Sequence, residues 1–385
     1  MRNPDITFDQ KMFRFFFAFS MVVTLLGMHY VFNFVNTNPF ERGLLIIAAF
    51  FLFKAQPKAS IQGFFGLILI TFAIFFFGYF TKFHQFSWGR LLNAYIALIA
   101  LLLFYVIQPS EDNRLFILKW ISRIAPFLVF YGFFLMLFGR SVFMQDHTGA
   151  MRYGGGTIPA YMAAASFASS VAFAMLYRHT GNLKNFAMVF FCLVCAILSG
   201  SRMPTVCIVL SAFPILFFSI KKFESKVYFI LFSLIFGLLA LVTVGDQLMM
   251  RFESQSSSGR DKLWDSVIMW IKFYPNTGVG YGHHPLIIPE YIKLFTKTQA
   301  VHSEYIRVVG ELGYFGAAIF LVGTILVFNG SFIKKNFEDV VLVLCILTSF
   351  ALFSYSDNTL LSSYCSIMPL AYAMGTGLKK ANSNV

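Results

Sequence analysis

Apolar runs close to twenty residues long recur along most of this chain, and that pattern leaves few folds open. They fall at 12–33, 40–53, 61–80, 88–107, 115–138, 157–177, 184–200, 203–220, 226–244, 304–328, 338–355 and 359–377. A run of about 20 residues is what a helix needs to cross a bilayer. Lipid offers unpaired backbone groups no partner, so the spans are expected to be helical. Of the 385 residues, 58% are hydrophobic and 12% charged, against about 25% charged in soluble domains. A water-soluble globular domain is excluded, as are disordered, collagen-like and disulfide-scaffold chains. The expected fold class is an all-α polytopic membrane protein of about twelve transmembrane helices. Its organisation reads as residues 1–244 with nine spans, a long outer loop at 245–303, and 304–385 with three spans, all one functional domain.

Arg2, Lys11 and Arg14 precede the first apolar run, and the bulky Met28, His29 and Tyr30 after it offer no cleavage site, so it reads as an uncleaved span. All five cysteines sit in apolar runs, where thiols behave as small hydrophobes; Cys192 and Cys195 form a C-x-x-C with no second pair.

Charge sets the orientation. With the N-terminus in the cytoplasm, the inner segments carry Arg2, Lys11, Lys54, Lys58, Arg114, Arg178, Lys184, Lys221, Lys222, Lys226, Lys334, Lys335, Lys379 and Lys380. The short outer loops carry Arg42, Lys82, Arg90, Arg140, Arg152 and Arg202. This bias places both termini in the cytoplasm. It also accounts for most of the net charge of +13, so nucleic acid is not needed as a partner. Five of the six outer charges are Arg. Arg grips phosphate bidentately, which points to an anionic ligand on the outer face.

The loop 245–303 is far longer than the other connections, and long loops in compact architectures are usually functional. It opens on the polar linker 254–259, then continues as Arg260-Asp-Lys-Leu-Trp264 and onward to Tyr274. Leu263, Val267, Trp270, Ile271 and Tyr274 share one helical face, which predicts an amphipathic helix lying on the membrane surface. Pro275 ends it, and Gly278-Val-Gly-Tyr281-Gly282 with His283 and His284 follows. Three glycines in five residues permit close backbone approach. The chain re-enters the membrane at His302-Ser-Glu304-Tyr305-Ile-Arg307, where His302, Tyr305 and Ile306 are expected on one helical face. Two further outer turns carry Arg: Ser199-Gly-Ser-Arg202 and Arg152-Tyr-Gly-Gly-Gly-Thr157. No D-x-D pair occurs in the first outer loop, so no acidic divalent-metal site is expected there, and Asp357 on the last outer turn reads as a cavity residue or a helix cap.

Taken in order, these pieces resemble the O-antigen ligase and polymerase superfamily of bacterial surface glycan synthesis. The resemblance rests on the motifs at Arg152, Arg202, Arg260, 275–282, His302–Tyr305 and Gly310-Glu311-Leu-Gly-Tyr-Phe-Gly316. It implies a GT-C-like, metal-independent glycosyltransferase without a cofactor, using undecaprenyl-diphosphate-linked oligosaccharide at the periplasmic face of the bacterial inner membrane. By position, Arg202 and Arg260 would hold the donor diphosphate and His302 would deprotonate the acceptor hydroxyl. Arg152, Tyr281, His283, Glu304, Tyr305 and Glu311 would contact substrate. The expected partners are the lipid-linked glycan, membrane lipids and a chain-length regulator protein. Fixed guanidinium groups suit a leaving diphosphate, and a neutral imidazole suits proton abstraction. The favoured reading is an O-antigen polymerase; the alternative is a ligase transferring the chain to lipid A-core. A transporter is the rival from another class, but the spans carry almost no midplane charge and the long loop breaks any two-half symmetry.

Overall fold

The computed structural model describes residues 6–26, 38–145, 151–235, 237–238, 260–296, 298–360 and 363–379. The helices are α1 (Phe8–Leu26), α2 (Asn38–Ala55), α3 (Ile61–Phe80), α4 (Trp88–Val106), α5 (Glu111–Ser122), α6 (Ile124–Met136), α7 (Pro159–Thr180), α8 (Leu183–Leu198) and α9 (Arg202–Ser219). They continue as α10 (Arg260–Phe273), α11 (Glu290–Thr296), α12 (Glu304–Ser331), α13 (Phe337–Ser356) and α14 (Ser363–Thr376). Among the described residues, seven stretches are long and apolar enough to cross a membrane: α3, α4, α5 with α6, α7, α9, α12 and α13. Each coincides with a run predicted from sequence, so the protein is an all-α polytopic membrane protein. The run at 226–244 is helical as far as residue 235, and its remainder lies mostly outside the described residues, as do 27–33 of the first run and the linker 254–259.

The chain divides into two compact units. Unit 1 comprises Met1–Phe116, Gly259–Ile333 and Ser354–Ser366; unit 2 comprises Ile117–Ser258, Lys334–Phe353 and Ile367–Val385.

In unit 1, α3 and α12 pack backbone to backbone. A Cβ on Gly66 would meet the Gly323 carbonyl oxygen at 2.5 Å, and one on Gly323 would meet the Gly66 oxygen at 2.7 Å. Lipid provides little hydrophobic drive between helices, so this close van der Waals approach supplies the attraction. Helix α12 is itself broken at Gly313 (φ 68, ψ 178). The break frees two carbonyls and an N–H, and the chain reuses them. Val279 N–H donates to Gly310 O (3.0 Å), Gly280 N–H to Glu311 O (2.8 Å), and Tyr314 N–H to Pro275 O (2.8 Å). The glycine-rich segment is thus docked edge-on against the kink.

That docking requires glycine. Gly278 has φ +62, and a Cβ there would collide with the Glu311 backbone. Gly139 has a similar φ of +74 but open space around it. Gly278→Ala is therefore expected to cost more than about 2 kcal/mol, against about 1 kcal/mol for Gly139→Ala. Thermal unfolding of the two variants in detergent checks the difference; equal losses would mean the docking contributes little.

In unit 2, α7 is the central element. It is buried on every side from Met162 to Leu176, as a helix surrounded by others must be. Its small residues admit close neighbours, and Ser169 repairs a discontinuity beside it. Pro126 cannot continue the hydrogen-bond ladder, and the chain breaks at Arg123 between α5 and α6. The Ser169 hydroxyl accepts from Ala125 N–H (3.0 Å) and donates to Ile121 O (2.9 Å), bridging the gap.

Two features depart from the sequence reading. A small antiparallel hairpin, β1 (Phe143–Gln145) with β2 (Met151–Tyr153), pairs Met144 with Arg152 within an otherwise helical chain. Three-residue strands are too short to leave an alternation signal. The apolar face of α10 is also not free to lie on a membrane. Leu263, Val267 and Ile271 join Phe83, Val279, Ile287, Ile288, Ile292 and Val301 in one buried cluster. The periodicity does mark a buried face, but the surface it buries against is the following segment of the same chain.

Candidate active site

His302 is held by two neighbouring segments of unit 1. Trp264 Nε1–H on α10 donates to Val301 O at 2.9 Å, fixing the residue before it. Asn358 Oδ1 accepts from Ser303 N–H at 3.2 Å, fixing the residue after it. His302 has φ +54, the one left-handed non-glycine among the described residues. A side chain there is strained, and such outliers cluster where geometry is functionally constrained. The sequence reading puts His302 on a helical face with Tyr305 and Ile306; instead it precedes Ser303, the N-cap of α12, and stands outside the helix.

This placement turns the imidazole toward Asp357. His302 Nδ1 lies 3.4 Å from Asp357 Oδ1, an ion-pair distance longer than a well-formed hydrogen bond. The two side chains are 27% and 26% exposed, so a ligand can reach both. Burial works against the charge on Asp357, but His302, the Asn358 N–H and Arg260 outweigh it and hold the carboxyl below its ordinary value. Arg260, the first residue of α10, interacts electrostatically with Asp357. Burial lowers the Arg260 pKa and Asp357 partly offsets this; a guanidinium stays charged through such shifts. Among the described residues Arg260 forms no hydrogen bond or ion pair, which leaves its fork available to an anion. A base with an aligned carboxylate beside a free guanidinium can accept a proton next to a phosphate-bearing leaving group.

Beneath this lies a buried ionic network. The Arg307 guanidinium, fully buried, donates to both Glu304 carboxylate oxygens and to Glu311 Oε2. Glu311 Oε1 accepts from His284 through both its Nδ1 (2.7 Å) and its backbone N–H (3.2 Å). The Arg307 guanidinium also lies over the Tyr281 ring at 5.1 Å from its centroid. Sequence reasoning places Glu304, Tyr281 and Glu311 in contact with substrate. Tyr281 and Glu311 are fully buried and Glu304 nearly so; Tyr281 and Glu311 join the 278–284 segment to α12, whereas Glu304 pairs with Arg307 within α12. Arg307 and Asp357 are absent from the site predicted by sequence. The i, i+3, i+7 spacing of Glu304, Arg307 and Glu311 is the available signal for the first; the second is read from sequence only as a cavity residue or a helix cap, and nothing local pairs it with His302.

His283 is likewise buried, with both ring nitrogens engaged. Its Nε2 accepts from Ser87 N–H at 2.9 Å, so the proton sits on Nδ1, which faces Tyr281 O at 3.0 Å. Burial lowers its pKa, in keeping with a neutral ring stacked on Phe86. Tyr305 is half-buried in the first turn of α12.

In unit 2, two of the predicted residues are brought together. Arg152 donates through Nε to Ser199 O (2.8 Å) and through an Nη to Ser201 Oγ (2.9 Å). It therefore braces the tight turn from which exposed Arg202 opens α9.

Residues 187–321 match the family model described as O-antigen ligase. This stretch is similar to an O-antigen ligase domain. It contains Arg202, Arg260, Tyr281, His283, His302, Glu304, Tyr305 and Glu311, while Arg152 and Asp357 lie outside its bounds. It supports the O-antigen polymerase and ligase superfamily, and with the seven apolar helices a multi-pass membrane protein of polysaccharide synthesis. No curated protein matches the chain.

Proposed function

We propose that this protein is an O-antigen or surface-polysaccharide polymerase. It transfers a growing glycan from undecaprenyl diphosphate to a lipid-linked repeat unit at the periplasmic face of the bacterial inner membrane. His302, aligned by Asp357 beside the unpaired guanidinium of Arg260, is the observation that carries the reading. With Nδ1 facing Asp357, Nε2 is the atom that takes the acceptor hydroxyl proton. The acceptor oxygen bonds to the anomeric carbon as the carbon–oxygen bond to the diphosphate breaks. Arg260 stabilises the charge that builds on the leaving diphosphate. Arg202 is given the same task by sequence resemblance alone, and Arg152 positions its turn. No metal or cofactor is invoked, both termini are placed in the cytoplasm, and a chain-length regulator is the expected protein partner.

A second reading has support of its own, because the matching family is described by ligase activity. The test is purified protein with EDTA and undecaprenyl-diphosphate repeat units, read on a ladder gel. Lengthening lipid-linked chains are expected. Transfer only when lipid A-core is added would make the protein a ligase. Inactivity with both acceptors would remove the glycosyltransferase reading.

A further inference from the structure

Unit 1 contains a cavity of about 590 Å³ lined by neither His302, Asp357 nor Arg260, and touching the network beneath them only through His284. It is lined by Arg42, Arg90, Asn93 and His284, with small residues such as Gly89 and Ala97 leaving it unfilled. Arg42, Arg90 and Asn93 can each donate a hydrogen bond here, and among the described residues no carboxylate is in the lining. Glu41, buried beside it, interacts electrostatically with Arg42 and offsets part of the charge. Neither Arg42 nor Arg90 forms a hydrogen bond or ion pair among the described residues. Two unpartnered guanidinium groups in one cavity are a site prepared for a polyanion.

Helix α4 adds to this. Its first turn contributes Gly89 and Arg90, and its N-cap Ser87 makes no side-chain capping bond. The positive end of a nineteen-residue helix thus opens at the cavity. The same helix shows what else the ligand carries. Gly89, Asn93 and Ala97 form the cavity face; Trp88, Leu92 and Ile96, one residue earlier in each turn, form an exposed apolar stripe beside it. An anionic head and a hydrocarbon tail would find adjacent surfaces one helix-face apart.

We propose that this cavity holds the diphosphate of a second lipid-linked ligand. The proposal rests on the polymerase reading: such an enzyme handles two lipid-linked diphosphates at once, whereas a ligase handles one. A volume near 590 Å³ accommodates a diphosphate with the first sugar, within the usual range of about 300–1,000 Å³ for small-ligand sites.

The test uses the full chain in nanodiscs and radiolabelled undecaprenyl diphosphate. Wild type is expected to bind two molecules, and Arg42→Ala/Arg90→Ala one. Asn93→Asp, which alters an exposed position and brings a like charge to the ligand, is expected to weaken the second molecule tenfold or more and guards against misfolding of the double variant. Unchanged stoichiometry in both variants would overturn the proposal. So would displacement of the second molecule by phosphatidylglycerol, which would make the cavity a phospholipid site. Equal affinity for inorganic diphosphate would also overturn it, since the apolar stripe would then have no part. The ladder assay keeps the two readings apart. Two bound molecules without a ladder remove the polymerase and retain the site; a ladder with one bound molecule removes the site alone.

Discussion

Replacing His302 by alanine is expected to lower glycan transfer by about 10²–10⁴-fold, the range lost when a general base is removed. The protein should still fold, because the imidazole is partly exposed and contributes no buried contact that the fold depends on. Relief of the left-handed strain is small, since alanine at φ +54 remains strained. His302→Gly is the sharper companion: it removes the base and the strain together, and is expected to be at least as stable and just as inactive. Asp357→Asn keeps the shape of the pair but removes the charge that orients the ring. It is expected to retain some transfer, with a loss between that of wild type and His302→Ala. Initial rates with lipid-linked donor and acceptor, measured on monodisperse variants, check all three. If His302→Ala retains wild-type rates, the base lies elsewhere and the proposed chemistry fails. If Asp357→Asn equals wild type, the carboxylate only anchors the turn at Asn358.

Much of this arrangement is legible in the chain. Spans such as Ile61–Phe80 announce themselves by length and hydropathy, because a bilayer leaves the backbone no alternative to helix. The face of α10 is legible from its 3.6-residue periodicity, but periodicity reports that a face is buried and not what buries it. Here the cover is Val279, Ile287, Ile288, Ile292 and Val301, residues with no regular spacing of their own. The glycines at 278, 280 and 282 are recognisable as allowing close approach. That they approach the backbone of Gly310 and Glu311 at a break in α12 depends on Gly313, an ordinary-looking glycine inside an apolar run.

The site divides along similar lines. His302 and Arg260 stand out by their motifs, whereas Asp357 comes from a turn more than fifty positions along the chain, and only folding pairs it with His302. Glu304 and Glu311 read as ionisable groups near a span mouth, for which substrate contact is a fair expectation. Their spacing around Arg307 favours an internal ion triad equally well. Burial decides between the two, and burial is a property of the surrounding elements.

The largest stability effect is expected at Arg307. Arg307→Ala would leave Glu304 and Glu311 buried side by side, with the His284 imidazole and backbone N–H bonded to Glu311 alone. Breaking a buried ion pair from one side costs about 3–5 kcal/mol, because the remaining charge has neither water nor a partner. For a unit of this size that corresponds to a fall in melting temperature on the order of 10 °C. The loss should not be read as the net worth of the triad. Taking three charges out of water is itself expensive, so Glu304→Gln/Arg307→Met/Glu311→Gln is expected to recover most of the stability that Arg307→Ala loses. In that triple variant the amide oxygen replacing the Glu311 carboxylate can still accept from the His284 backbone N–H, which keeps the 278–284 segment on α12. Thermal unfolding in detergent, followed by transfer assays on the recovered protein, separates positioning from chemistry. A triple variant that is both stable and active would show that the network acts by holding the segment in place. One that is stable but inactive would place Arg307 or its carboxylates in the reaction itself, and the assignment of His302 as the sole proton acceptor would have to give way.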